Sequence, residues 1–433
     1  MLTRRDTLRI AGAAGLAAPA LTACGGGDGG RPAPGTTAAG LRLVGADVAR
    51  SAGNPGAVPG VVTSLGSFTE DLWGLLGPAD RNLVISPFSI AVALAMTANG
   101  AGGATRAQML DVLHIGSLAT HNAGVAALTQ QIEALAGPVR TADGTSEEIL
   151  LASADQLFGD GATAFGHAFL TVLAKEYGAG MRTVDFQQDP EGARAAVNAW
   201  TGHRTHDRIS EILPRGVVDP STRLVLVDAL YLKAPWLTPF ERSATTTQAF
   251  VRADGSRVDV PTMRATTHDA VYHAGPHWRA ARLPYAGRTL AMTVALPDPG
   301  HEADTVAALL SGGLTAAGEP GLELSMPRWT FRTPTGLRQV LMDLGMTRAF
   351  GEDADFTPMA PQDPLHVEDV LHQTFIAVDE AGTEAAAATA VVMDEASAIA
   401  PGHRLVLDRP FLFVVHDVAQ GTPLFVGRVA DPS

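Results

Sequence analysis

Of the residue types that commonly carry out chemistry, this chain has thirteen histidines and a single cysteine, Cys24. None of them stands in a spacing that catalysis uses. A nucleophilic serine on a strained turn would show as G-x-S-x-G. A zinc-bound water with its glutamate base would show as H-E-x-x-H, a redox or zinc dithiol as C-x-x-C, and a phosphate cradle as a Walker-type glycine loop. All four are absent. His203 and His206 read as solvated residues of a helix face rather than metal ligands. Asp353-Ala354-Asp355 is too short and wrongly spaced for a calcium loop. The chain therefore reads as a protein that is not an enzyme, with no cofactor and no metal.

The stretch that calls for a physical explanation is mechanical rather than catalytic: GTEAAAATAVVM, residues 382–393. It follows the strand-like HQTFIAVDE and precedes DEASAIAPGHR, which reads as an exposed loop. Taken with period two, one face is Thr383, Ala385, Ala387, Thr389, Val391 and Met393. The other is Glu384, Ala386, Ala388, Ala390, Val392 and Asp394. The first face is uncharged, small at its start and larger later; the second carries the charges. This separation suits a strand with one buried face, because a charge left on the buried face costs several kcal/mol. Gly382 gives the backbone freedom where such a strand would turn. A disordered alanine linker would have the composition but not the face separation.

Positioning such a strand requires a large sheet and a sizeable core. Nearly half of the 433 residues are hydrophobic and 18% are charged, so the core is available. The formal net charge of −14 argues against nucleic acid as a partner. Thr3-Arg4-Arg5-Asp6-Thr7-Leu8-Arg9 is a twin-arginine export pattern followed by an apolar stretch too short to span a bilayer. Leu21-Thr22-Ala23-Cys24 resembles a bacterial lipobox. Residues 1–23 are therefore expected as a removed signal, Cys24 as a lipidated N-terminus, and 24–55 as a flexible Gly/Pro-rich tether. The predicted location is the cell envelope or its exterior, anchored to a membrane.

One domain is expected over 56–433, without internal repeats. The spacing predicts helices over 62–76, 90–99, 104–113, 165–177, most of 191–213, and 336–344. Strands are expected over 148–157, 249–258, 268–273, 278–283, 289–296, 322–327, 405–407, 411–417 and 424–429. The run TRLVLVDALYLK, 222–233, is apolar almost throughout and is expected at the centre of a sheet.

Several separated segments together resemble the serpin family. NLVISPFSI at 82–90 is similar to that family's N-x-x-x-S-P-x-S-I segment, and VDALYLKAPW at 227–236 to the third strand of its large sheet. LGMTRAF at 344–350 with Ala354-Asp355-Phe356, then 372–388, RPFLF at 409–413 and PLFVGRV at 423–429 complete the set in order. The resemblance implies an α+β fold with about three β-sheets, eight or nine helices and an exposed reactive loop over about 380–404. It implies a suicide-substrate inhibitor of serine proteases, with a non-inhibitory binding module of the same fold as the alternative. The partner would be a serine protease held as a covalent acyl-enzyme. The protein would be a monomer with a capacity for loop-sheet polymerisation.

The same resemblance assigns Glu380, Gly382, Thr383, Glu384, Ala385, Ala386, Ala387 and Ala388 to the hinge of the loop. It places Ser86, Ser89, Asp228 and His372 at the shutter, where two central strands part, and Trp236 at the breach. The count from the hinge places the reactive bond at Ala396-Ser397, with Met393-Asp394 and a bond after Ile399 as alternatives. A small residue there suits an elastase-like or subtilisin-like protease. Asp228 stands where most members carry asparagine. Paired with His372, it is expected to bring that histidine's titration near neutral pH; the other reading is a satisfied core histidine.

Overall fold

Three helices of the described residues, at 87–99, 118–133 and 190–204, start at a side-chain cap. Ser86 Oγ accepts from Ser89 N ahead of Pro87, Ser117 Oγ from Thr120 N, and Asp189 Oδ1 from Gly192 N ahead of Pro190. The computed structural model describes residues 40–76, 80–384 and 402–433, all within the compact unit Thr36–Ser433. Their helices are α1 (Val58–Leu75), α2 (Pro87–Asn99), α3 (Gly103–Val112), α4 (Leu118–Glu133), α5 (His167–Val172), α6 (Pro190–Arg204), α7 (Glu302–Ala308) and α8 (Arg338–Asp343).

The strands, in chain order, are β1 (Arg42–Val44), β2 (Leu83–Ile85), β3 (Gly137–Arg140), β4 (Ser146–Ser153), β5 (Gln156–Asp160), β6 (Met181–Val184), β7 (Leu224–Pro235), β8 (Thr246–Val251) and β9 (Arg257–Gly275). They continue with β10 (Trp278–Pro284), β11 (Leu290–Pro297), β12 (Glu319–Pro327), β13 (Trp329–Gly336), β14 (Asp369–Val378), β15 (Gly382–Thr383), β16 (His403–Val406), β17 (Phe411–Asp417) and β18 (Pro423–Val429).

The first sheet runs β1-β6-β5-β7-β15-β14-β13, with β4 also on β7 and β3 on β4. The second runs β16-β12-β9-β10-β11-β17-β18-β2, with β8 on β9. The main core lies against one face of the first sheet and takes in α2, which is buried on nearly every side. A smaller core under α6 covers the opposite face, with Val197 against Val225, Val227 and Ala229. Alternation along β7 serves both, because successive side chains point to opposite faces.

Where about three sheets were expected, the described residues form two large ones. The reason is β9, whose nineteen residues pair in turn with β8, β12 and β10 and join what would otherwise be separate sheets. The strand expected over 148–157 is broken at Ala154-Asp155 into β4 and β5. The helix expected over most of 191–213 ends at Arg204, because Asn198 Oδ1 accepts from Ile212 N and Leu213 N and folds 205–213 back along α6. His206 thus leaves the helix that holds His203 and sits in a turn with φ 51°. The run expected as a single strand over 249–258 turns at Gly255, which has φ 82°.

The helices α4 and α7 and the strands β1, β2, β3, β6 and β13 have no counterpart in the sequence-based expectations. β13 carries Pro334, which argues against a central strand, and the sheet edge it occupies is where proline is tolerated. The expected tether also contributes to the fold, since Arg42–Val44 pairs with β6 and Leu41 is buried. Among the described residues no helix is long and apolar enough to cross a membrane.

Close packing in the second sheet leaves no room at Gly427 of β18. A Cβ there would lie 2.2 Å from Phe413 Cζ and 2.7 Å from the backbone oxygen of Leu83. Gly427→Ala is expected to cost about 1–3 kcal/mol through overpacking, read as a fall of several degrees in the thermal midpoint. An unchanged midpoint would contradict this packing.

Candidate functional site at the seam of the first sheet

Between β7 and β14 the first sheet is closed at one end and open toward the other. The two strands pair in parallel from Asp369 opposite Val225 to Thr374 opposite Leu230, with His372 opposite Asp228. Beyond that level β15 lies between them, Thr383 opposite both Ala234 and Val378. Residues 231–233 and 375–377 have no strand partner on this side among the described residues.

The closed end is built around a polar cluster inside the apolar core. Ser86, which caps α2, donates its N–H to His372 Nε2 at 2.9 Å. That bond makes Nε2 an acceptor, so Nδ1 carries the proton and donates to Asp228 Oδ1 at 2.5 Å. Ser89 Oγ, one turn into α2, donates to Asp155 Oδ1 at 2.5 Å, and Ser153 Oγ to Asp155 Oδ2 at 2.5 Å. Thr374 Oγ1 donates to the Val84 carbonyl at 2.6 Å and ties β14 to β2. Ser86, Ser89, Asp228 and His372 are thus together in three dimensions, all essentially buried.

Electrostatics in this cluster corrects the expectation for His372. Burial lowers its pKa to about 3, outweighing the nearby Asp155 carboxyl, and the imidazole is neutral at physiological pH. The acids move the other way. Burial, reinforced by the neighbouring Asp228, raises Asp155 to about 8. Asp228 is also raised well above its ordinary value by burial. The group that titrates near neutral pH is therefore the Asp155 carboxyl, not the histidine.

The open end is built around Trp236. Its ring stacks on Tyr285 with centroids 4.6 Å apart and planes at 2°. Its Nε1 donates to the Asp379 carbonyl at 3.0 Å, and its backbone N–H to the Ala381 carbonyl at 2.9 Å. The Tyr285 hydroxyl and Thr383 Oγ1 are hydrogen-bonded at 2.6 Å. Chain direction reverses at 379–382, where Asp379 Oδ1 accepts from Ala381 N and Gly382 N. Gly382 sits at φ 154° with its missing Cβ 2.2 Å from the Ala234 carbonyl, so no side chain fits there. Glu380 accepts from Thr245 Oγ1 at 2.6 Å and pairs with Arg328.

The hinge is therefore not exposed from 380 onward as expected. Glu380, Gly382 and Thr383 are buried, and the Thr383 hydroxyl bonds Tyr285 of the main core. At the far end His403 and Arg404 belong to β16 rather than the loop. Ala385, Ala386, Ala387, Ala388, Met393, Ala396, Ser397, Ile399 and Cys24 lie outside the described residues. Sequence reasoning missed Asp155 and Tyr285. An aspartate interrupting a strand-like run was a signal for the first; nothing local marked the second. Among the described residues no three His, Cys, Asp or Glu side chains are grouped to hold a metal.

The acid pair predicts a pH dependence with a definite sign. Between its ordinary pKa of 3.8 and about 8, Asp155 keeps a proton when folded that it loses when unfolded. The folded state binds more protons there, so stability falls as pH rises through that window and levels off above it. Asp155→Asn is expected to raise the thermal midpoint near neutral pH and make its decline between about pH 5 and 8 shallower. Equal slopes in parent and variant would contradict a protonated Asp155.

Comparison with known proteins places this geometry. Residues 64–432 match the family model described as serpin (serine protease inhibitor). An uncharacterized serpin-like protein of Thermococcus kodakarensis is 34% identical over 378 residues, covering 86% of each chain. Plasminogen activator inhibitor 1 of Neovison vison is 34% identical over 369 residues, covering 82% of this chain and 88% of that one. The native-state crystal structure of tengpin, a thermophilic serpin, superposes with a TM-score of 0.75 at 27% identity, covering 86% of this chain and 94% of that one. With a family match over most of its length and an opening seam at its centre, the chain belongs to the serpin family.

Proposed function

We propose that this chain is a suicide-substrate inhibitor of serine proteases, consumed one molecule per protease. The observation that carries the reading is the seated hinge: Gly382 and Thr383 already occupy the first two places of a strand between β7 and β14. A protease serine would attack the carbonyl carbon of the residue before the cut. The peptide C–N bond breaks, the amine leaves with a proton, and an ester joins the inhibitor to the enzyme. The freed arm then follows Thr383 into the seam, carrying the protease with it. About ten new backbone hydrogen bonds, at about 1 kcal/mol net each, would drive that step. The uncut protein is then held by a barrier rather than by an equilibrium minimum. Distortion of the dragged protease stalls deacylation, since losing one oxyanion-hole donor alone slows acyl chemistry ~10²–10³-fold.

The reactive bond in this reading is Ala396-Ser397, suited to an elastase-like or subtilisin-like pocket, with Met393-Asp394 and the bond after Ile399 as the other candidates. The protein acts at the cell envelope as a monomer, exported by its twin-arginine signal, lipidated at Cys24 and held off the membrane by its tether.

Mixing the protein with a pancreatic-type elastase or with subtilisin is expected to give a covalent band on a denaturing gel. Clean cleavage without that band would mark a non-inhibitory member. Nicking the loop is expected to raise the melting temperature; an unchanged value would end the reading. Thr383→Arg would put a charge against Tyr285 in the main core, and is expected to reduce covalent complex at least about tenfold in favour of cleaved product.

A further inference from the structure

Glu384, the residue after the seated pair, has already left the sheet. Its φ of 49° is in the left-handed region, which is uncommon for a residue with a Cβ. Its N–H still bonds the Ala377 carbonyl at 2.8 Å. The carboxylate, only 10% exposed, forms an ion pair with the Arg208 guanidinium. Burial raises the acid's pKa, and three cations oppose that shift: Arg208, Lys233 of β7 and Arg332 of β13.

Arg208 comes from the turn after α6, directly behind His206 and Asp207, which both have positive φ. Its guanidinium carbon lies 5.9 Å from the Phe375 ring centroid on β14, and His206 of the same turn lies against Tyr231 on β7 with ring centroids 5.2 Å apart. Tyr231 and Phe375 are the first residues beyond the last β7–β14 pair. One turn therefore reaches both lips of the open seam and the acid of the hinge.

We propose that Arg208 is a positioning residue for loop insertion: by lying against Phe375 and holding Glu384 in a left-handed turn, it arrests the hinge at Thr383 and sets the rate at which later residues follow. The inference rests on the inhibitory reading. For residue 385 to join the strand, Glu384 must relax to extended backbone, which disrupts its present contact with Arg208. Removing the contact destabilises the arrested state without touching the hydrogen bonds that insertion gains.

The experiment uses the full chain with Arg208→Ala, Glu384→Gln, the double variant and Arg208→Lys. It follows the uncut proteins over time for loss of covalent-complex formation with subtilisin and for gain of heat resistance. Each of the first two is expected to speed spontaneous conversion roughly three- to tenfold. The double variant should be no faster than either, as for two residues acting through one contact, and Arg208→Lys should fall between. Unchanged or slower conversion in both single variants would overturn the proposal. So would effects that multiply in the double variant, which would mark Arg208 as a general support of the fold. Glu384→Gln keeps the test decisive if Arg208→Ala fails to fold. A parent protein that forms no covalent band and gains no heat resistance on cleavage would overturn the inhibitory reading and the latch together. Normal parent behaviour with unresponsive variants would overturn the latch alone.

Discussion

Backbone hydrogen bonding along one seam constrains the rest of this structure. Buried strands must satisfy their amides and carbonyls, and β7 and β14 do this for each other only as far as Leu230 and Thr374. Beyond that point the described chain supplies Gly382, Thr383 and the amide of Glu384. Side chains from several elements gather around the seam. Trp236 and Tyr285 form a flat wall for Thr383, the α2 cap reaches across to His372, and the turn after α6 lies over the gap.

The closed end is held by polar groups where an apolar contact would have been simpler. A satisfied polar cluster in a core is directional, whereas apolar packing tolerates sliding. Ser86, Ser89, Ser153, Asp155, Asp228 and His372 connect one helix to three strands through short hydrogen bonds. That connectivity fixes the level at which β7 and β14 meet. Two acids in so small a space are tolerated because burial and mutual proximity favour their protonated forms. The carboxyl of Asp228 also gives the neutral imidazole its acceptor.

Much of this was legible before any coordinates, and the parts that were not share a cause. The apolar run of β7, the Ser-Pro start of α2 and the facing of Thr383 against Glu384 are local patterns. The depth to which the hinge is seated is not local. It depends on a missing Cβ at Gly382 fitting against Ala234 and on a hydroxyl from Tyr285, residues that only the fold brings near. Arg208 was unreadable for the same reason, since it lies in a turn without periodicity and acts on a glutamate far along the chain. The merging of the expected sheets was hidden because β9 reads as several short strands, its residues changing partners along the way. His372 misled through its partner: an adjacent carboxylate suggests an easily protonated imidazole, but only burial shows which of the two groups gives way.

The continuity of β9 has a mechanical corollary. In the second sheet one uninterrupted span, β9, joins β8, β12 and β10, and among the described residues no gap like that between β7 and β14 interrupts its strand order. Strain from widening one layer by about 4.8 Å, the spacing of a single added strand, would then be borne unequally. The layer that contains the gap would yield before the continuous one, and α2, which packs against both β7 and β18, lies where the two would part in behaviour.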